Sequence, residues 1–251
     1  GAEPGTPWLD LSFKAVGASG IGYTVFDNSC GVIPEEASGF SDLFEGASIE
    51  FNVCWEITSD DADSLVMYVE QTFAFDTQPV WFSLGTIMAD GTAVSTPVST
   101  ESAATTSTRK EPLPIGTPGV VGDYVVSVVD VIPDASGEIA AENQFNDAPA
   151  SGKQFYMVTA SVTYTGDESG TPWIDLDFRS VGDSGVGYTT FDNDCGVVPN
   201  GAMNLSDIFP GGSVEFNVCW EVDIADVDSL QMYIEPLFAF DVEPMWFALT
   251  P

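Results

Sequence analysis

Polar and apolar residues alternate along most of the second half of the chain. In WIDLDFRSV, Ile174, Leu176 and Phe178 fall on one side, with Asp175, Asp177 and Arg179 on the other. SVEFNVCWEV sets Val214, Phe216, Val218, Trp220 and Val222 against Glu215, Asn217, Cys219 and Glu221. Leu230, Met232 and Ile234 alternate in SLQMYIE, as do Tyr156, Val158, Ala160, Val162 and Tyr164 in QFYMVTASVTY. A period of two marks a strand with one buried face. Gly-Asp, Asp-Asn and Pro-Gly-Gly turn signals separate the runs. No segment carries a helical period, although NLSDIF predicts one short turn capped by Ser206. Short antiparallel strands, each with one wet face, predict an all-β protein built from β-sandwiches.

The pattern occurs twice. Shifting the chain by 165 positions lays GTPWLDLSFKAVGASGIGYTVFDNSCGVIP (5–34) on GTPWIDLDFRSVGDSGVGYTTFDNDCGVVP (170–199) without a gap. FNVCWE recurs unchanged at 51–56 and 216–221, and FAFDTQPVWFSL (73–84) matches FAFDVEPMWFAL (238–249). On the order of 50 of about 86 aligned pairs are identical, which reads as a tandem duplication.

The copies are unequal. GVVGDYVVSVVDVIP (119–133) and KQFYMVTASVTYTG (153–166) read as strands, and their counterparts in the first copy would precede residue 1. Three segments are therefore expected: an incomplete repeat at 1–86, a Ser/Thr/Pro-rich linker at 87–114 and a complete repeat at 115–251. The linker has no apolar period, and Arg109 and Lys110 mark its end as protease-sensitive. The lopsidedness has two readings. The chain is a fragment of a longer repeat protein, or another segment or chain supplies the strands that the first repeat lacks.

Composition narrows the environment. Five Lys plus Arg face 39 Asp plus Glu, a formal charge of −34, while 44% hydrophobic residues allow a real core. Nucleic-acid binding requires a basic footprint and is excluded. Anionic membrane surfaces repel such a chain, and no stretch reaches the ~18 apolar residues of a membrane helix. The charge suits a salty or divalent-rich exterior, where the Debye length shrinks to a few ångströms, and equally a soluble acidic secreted protein. No signal peptide is recognisable, so the residues read as a mature or trimmed product, or as a cytosolic protein.

Cys30/Cys54 and Cys195/Cys219 have equal spacing. Four cysteines allow three connectivities, and duplication favours one bridge within each copy. Each second cysteine lies on the polar face of its strand, so the bridge should pin a loop across the outside of a sheet. It should not cross the core as in antibody domains.

Candidate chemistry is sparse. With no histidine in the chain, Ser-His-Asp and Cys-His arrangements are impossible, and no phosphate-cradling glycine loop is present. The chain is not expected to be an enzyme or to need a cofactor. Asp61/Asp63 and Asp226/Asp228 form Asp-x-Asp pairs of the kind that bind Ca2+, with turn formation as the competing explanation. Trp8, Trp81, Trp173 and Trp246 lie on the opposite parity from core-facing neighbours. If exposed, they would form a sugar- or protein-binding patch; the alternative is packing under loops.

NQFNDAPASGKQFYMVTASVTYTG, SDIFPGGSVEFNVCWEV, VDSLQMYIEP and FAFDVEPMWFAL together resemble a bacterial domain-of-unknown-function family. Its members occur in secreted proteins and lipoproteins, notably of actinobacteria. They are similar to the immunoglobulin-like sandwich of secreted mycobacterial immunoprotective antigens. The resemblance covers about residues 115–250 and, truncated, 1–85. It implies a fold and an extracytoplasmic address but no activity and no site residues. The expected role is an extracellular structural, adhesive or assembly module, self-associating by strand complementation into filaments. The competing role is non-catalytic binding of a carbohydrate or protein ligand. In either case a protein partner or self-assembly is expected, without membrane insertion.

Overall fold

The computed structural model describes residues 5–39, 43–44, 47–72, 79–84, 103–237 and 242–250. The chain is mostly β, with three antiparallel four-stranded sheets, and divides into units Gly1–Thr96 and Pro97–Pro251. The first unit contains a helical turn α1 (Pro7–Asp10) and strands β1 (Leu11–Val16), β2 (Gly22–Thr24), β3 (Val66–Gln71) and β4 (Val80–Ser83). They form one sheet in the order β2-β1-β3-β4.

The second unit begins with β5 (Gly119–Val121), β6 (Tyr124–Ile132), helix α2 (Ser136–Glu142) and β7 (Lys153–Tyr164). After helical turn α3 (Pro172–Asp175) come β8 (Leu176–Val181), β9 (Gly187–Thr189), β10 (Ser213–Asp223), β11 (Gln231–Pro236) and β12 (Met245–Ala248). Two sheets result, β10-β7-β6-β5 and β12-β11-β8-β9. Their facing sides form one core that includes Val158, Ala160, Val162, Phe216, Val218, Trp220, Met232, Ile234 and Phe247. These are the positions that the alternation assigns inward. Across the two sheets, Phe178 meets Phe216 edge-on, with 5.6 Å between ring centroids. The Trp220 indole donates to the Phe178 carbonyl at 3.3 Å, which satisfies its one polar atom in the interior.

Three local expectations are corrected. Ile174 is not on a strand face: Pro172 opens a helical turn, Asp175 accepts the Thr171 amide at 2.8 Å, and the strand starts at Leu176. Ile174 is exposed as a result. NLSDIF forms no turn capped by Ser206; a 3-10 turn at Ala202–Asn204 ends on its first residue, and Ile208 then bridges to Gly170. Helix α2 was not expected, because its seven residues carry one large apolar side chain, Ile139. That residue is fully buried and, with Ala135, covers Phe155, Met157, Cys195 and Cys219 on the outside of the β7–β10 pair. The outer face is therefore dry at this end.

Of the expected linker, residues 87–102 lie outside the described residues. Within the second unit, Ala104 bridges to Gly119 and Leu113 to Phe247, and the Arg109 guanidinium donates to the Gly182 carbonyl at 2.7 Å. Residues 103–114 thus run against the sandwich rather than away from it. The FAFD segments at 73–76 and 238–241 lie outside the described residues.

Candidate functional site

Both bridges close within a copy, Cys30 to Cys54 and Cys195 to Cys219. Cys219 sits among the outer cluster under α2 and not in the core between the sheets, as its parity requires. Beside each bridge lies a groove of about 510 Å³. In the second unit its walls include Trp173, Leu176, Phe191, Met203 and Leu237. In the first they include Trp8, Leu11, Phe26 and Ile33. Trp8, Leu11 and Phe26 are the +165 counterparts of Trp173, Leu176 and Phe191, so the groove recurs with the sequence. Several chemical differences separate the two: Asp194 of the second groove stands where the first has Ser29, and Gly201 where the first has Glu36. Asp177 lines the second groove where Ser12 lines the first. Asp177 is buried and accepts the Arg179 guanidinium through Oδ2, at 2.7 Å from Nε, while its Oδ1 makes no hydrogen bond. That hydrogen bond, outweighing the burial of Arg179, holds the guanidinium above its ordinary pKa.

The calcium candidates divide. Asp61 and Asp226 are buried, whereas Asp63 and Asp228, two residues on, are exposed. Asp226 accepts the Ser184 amide at 2.9 Å, the Ser184 hydroxyl at 2.5 Å and the Tyr188 hydroxyl at 2.6 Å. Asp61 accepts the same three groups from Ser19 and Tyr23. Burial alone pushes the Asp226 carboxyl up. The donors from Ser184 and Tyr188 and the charge of Arg109 more than offset it and hold the group below the usual carboxylate range. The carboxylate oxygens of Asp61 and Asp226 thus accept from protein donors. Among the described residues no group of three or more His, Cys, Asp or Glu could hold a metal ion. Sequence reasoning missed this network. Its signal was the recurrence of Ser, Tyr and Asp at 19/23/61 and 184/188/226.

The tryptophans also divide. Trp8 and Trp173 line the grooves. Trp81 and Trp246 stack on Tyr68 and Tyr233 on the outer faces of their sheets, with centroids 4.6 and 4.7 Å apart. The four do not form one patch within either unit.

A further surface belongs to the first unit alone. Residues 47–58, which contain FNVCWE, belong to no named strand, whereas the same six residues at 216–221 lie in the middle of β10. The path of the chain is nonetheless the same. The Trp55 indole donates to the Phe13 carbonyl at 3.3 Å, as Trp220 does to Phe178. Asn52 Nδ2 donates to the Pro34 carbonyl at 2.8 Å, as Asn217 does to Pro199 at 2.7 Å. What differs is the neighbour: β10 pairs along its whole length with β7, and the described part of the first unit has no such strand. Among the described residues of the first unit, no strands stand in the place of β5, β6 and β7. Val80 and Phe82 are 57% and 44% exposed, against 4% and 0% for their counterparts Met245 and Phe247.

Comparison with known proteins adds little. No protein-family model matches the chain, and no curated protein does. Among solved structures, an uncharacterized β-sandwich protein from Clostridium difficile 630 is similar, with 13% identity and a TM-score of 0.35, over 57% of this chain and 98% of that one. A proposed lipoprotein from Bacillus subtilis is 17% identical with a TM-score of 0.34, over 51% of this chain and 36% of that one. No activity follows from likeness at this level. Among the described residues, no helix is long and apolar enough to cross a membrane.

Proposed function

We propose that the chain is an extracellular, non-catalytic structural or adhesive module that assembles by β-strand complementation at its first repeat. The observation that carries this reading is FNVCWE, a fully laddered strand in one copy and a strand-like segment without a ladder in the other. An open sheet edge beside an open apolar face is a template for an added strand. Two bridged cysteine pairs, the acidic surface and the resemblance to secreted actinobacterial domains support the extracellular address. Hydrogen exchange with mass spectrometry tests the acceptor. Amides at 53, 55 and 57 should exchange far faster than those at 218, 220 and 222; equal protection in the two copies sinks the reading.

A second reading is favoured by the recurrence of the groove. Two cavities of about 510 Å³ with matching Trp and Phe walls suit non-catalytic binding of a carbohydrate or protein ligand. Replacing Trp173 by Ala should then abolish retention on a glycan array without altering the fold.

A further inference from the structure

We propose that the turn Thr108–Glu111 is a gated processing site, at which a protease that cuts after basic residues parts the two repeats, and that Arg109 is its latch. The chain offers such a protease five residues: Lys14, Arg109, Lys110, Lys153 and Arg179. Three of them lie in strands, Lys14 in β1, Lys153 in β7 and Arg179 in β8. Backbone held in a ladder enters a protease cleft only after the sheet has opened. Arg109 and Lys110 stand instead in a turn, and both are exposed.

That turn is not a free loop. Residues 103–114 form a strap from the edge of one sheet to the edge of the other. At one end Ala104 bridges to β5: its amide donates to the Pro118 carbonyl and its carbonyl accepts the Val120 amide, each at 2.8 Å. At the other end Leu113 bridges to β12: its amide donates to the Trp246 carbonyl and its carbonyl accepts the Ala248 amide, each at 2.8 Å. β5 and β12 are the edge strands of their sheets, so the strap occupies amides that would otherwise form open edges.

Side chains fasten the middle. The Ser107 hydroxyl accepts the Trp246 amide at 2.6 Å, and the Arg109 guanidinium donates to the Gly182 carbonyl at 2.7 Å. Gly182 lies over the buried carboxylate of Asp226, and attraction between that charge and the guanidinium adds to the hydrogen bond. Within the turn the Thr108 amide donates to the Glu111 carbonyl at 3.2 Å, and the Glu111 amide to the Thr108 carbonyl at 3.0 Å. Turn and strap must therefore open before the peptide bond can be cut, and the rate of cutting follows the population of the opened form.

The cut treats the two edges unequally. Water adds across the Lys110–Glu111 amide, leaving a carboxylate on Lys110 and an amine on Glu111. Ala104, Ser107 and Arg109 go with the first product, while Leu113 stays with the second. Both products are acidic, and their like charge favours parting. β5 then loses its cover, and β12 keeps the bridge to Leu113.

The test is limited trypsin digestion of the folded full chain, followed by intact mass. The first cut is expected after Arg109 or Lys110. Arg109→Gln should speed the cut after Lys110 at least about fivefold, and Ser107→Ala, which leaves both basic residues in place, about two- to threefold. Each rate is divided by that of a synthetic peptide of residues 103–116 with the same substitution, which removes any change in recognition by the protease. After the cut, hydrogen exchange read by nuclear magnetic resonance should rise about tenfold at the amides of Val120 and Trp246 and hold at Ala248. A first cut after Lys14, Lys153 or Arg179 would overturn the site. Unchanged normalised rates in both variants would overturn the latch, and unchanged exchange at Val120 and Trp246 after the cut would overturn the parting.

Discussion

Tyr188 donates its phenolic hydrogen to Asp226 at 2.6 Å, tying β9 to the 3-10 turn Ile224–Ser229 that follows β10. Burial first, and then this hydrogen bond, push the Tyr188 phenol up to about 12. Asp226→Asn should bring the Tyr188 titration down towards 10 by ultraviolet absorbance. It should also cost roughly 1–3 kcal/mol in urea denaturation, as expected for hydrogen bonds to a buried charged group. Both groups shape the pH profile. The folded Asp226 pKa lies below its unfolded value, so its contribution is complete above about pH 4 and fades as the pH falls through the lower folded value. The Tyr188 pKa is raised, so its contribution is complete below about pH 10 and is lost as the pH climbs to about 12. Thermal melts across the pH range should lose the Asp226 share of the acid flank in the variant and keep part of the alkaline flank, because Tyr188 stays buried.

Gly182 lies directly over the same carboxylate. A Cβ there would come within 2.4 Å of the Asp226 Cβ, too close for any side chain. Gly182→Ala should destabilise the second unit by about 1–3 kcal/mol through forced displacement. Gly137, inside α2, has nothing within 4 Å of the same construction. Gly137→Ala should have the opposite sign, stabilising by up to about 1 kcal/mol. Opposite shifts in melting temperature would bear out both.

Equivalent core positions should respond unequally. Phe247 is fully buried between two sheets, and Phe247→Ala should cost about 3–5 kcal/mol. Phe82 is its counterpart on the open sheet, and Phe82→Ala should cost less than about 1.5 kcal/mol, since much of that ring already faces water. Paired denaturation curves check the difference; equal losses would mean that the first sheet is covered in solution.

The bridge Cys195–Cys219 closes a loop with a sequence separation of 24. Replacing both cysteines by Ala should lower stability by roughly 3 kcal/mol. Because the bridge packs under α2 and not between the sheets, the loss should begin there, with faster exchange at 136–142 before the core strands.

The alternation of side chains, the repeat and the pairing of cysteines were legible without coordinates, because each depends on neighbours two residues away or on a copy 165 residues away. Tyr156, Val158, Trp220 and Met232 point inward as their parity requires. Helix α2 was not legible, since Ile139 is apolar by itself and becomes a helix face only over Phe155 and Met157. The turn at Pro172–Asp175 was hidden for a related reason: in WID, alternation and a helical turn place the same residues plausibly, and the Asp175 hydrogen bond to Thr171 decides. The decisive case is FNVCWE. One hexapeptide, with one propensity, is a fully paired strand beside β7 and lacks a ladder where no such neighbour is described. The chain's own residues dictate the alternation and even the local path, down to the indole hydrogen bond of Trp55. Whether that path becomes a strand is decided by tertiary structure, because half of a strand's hydrogen bonds belong to its partner.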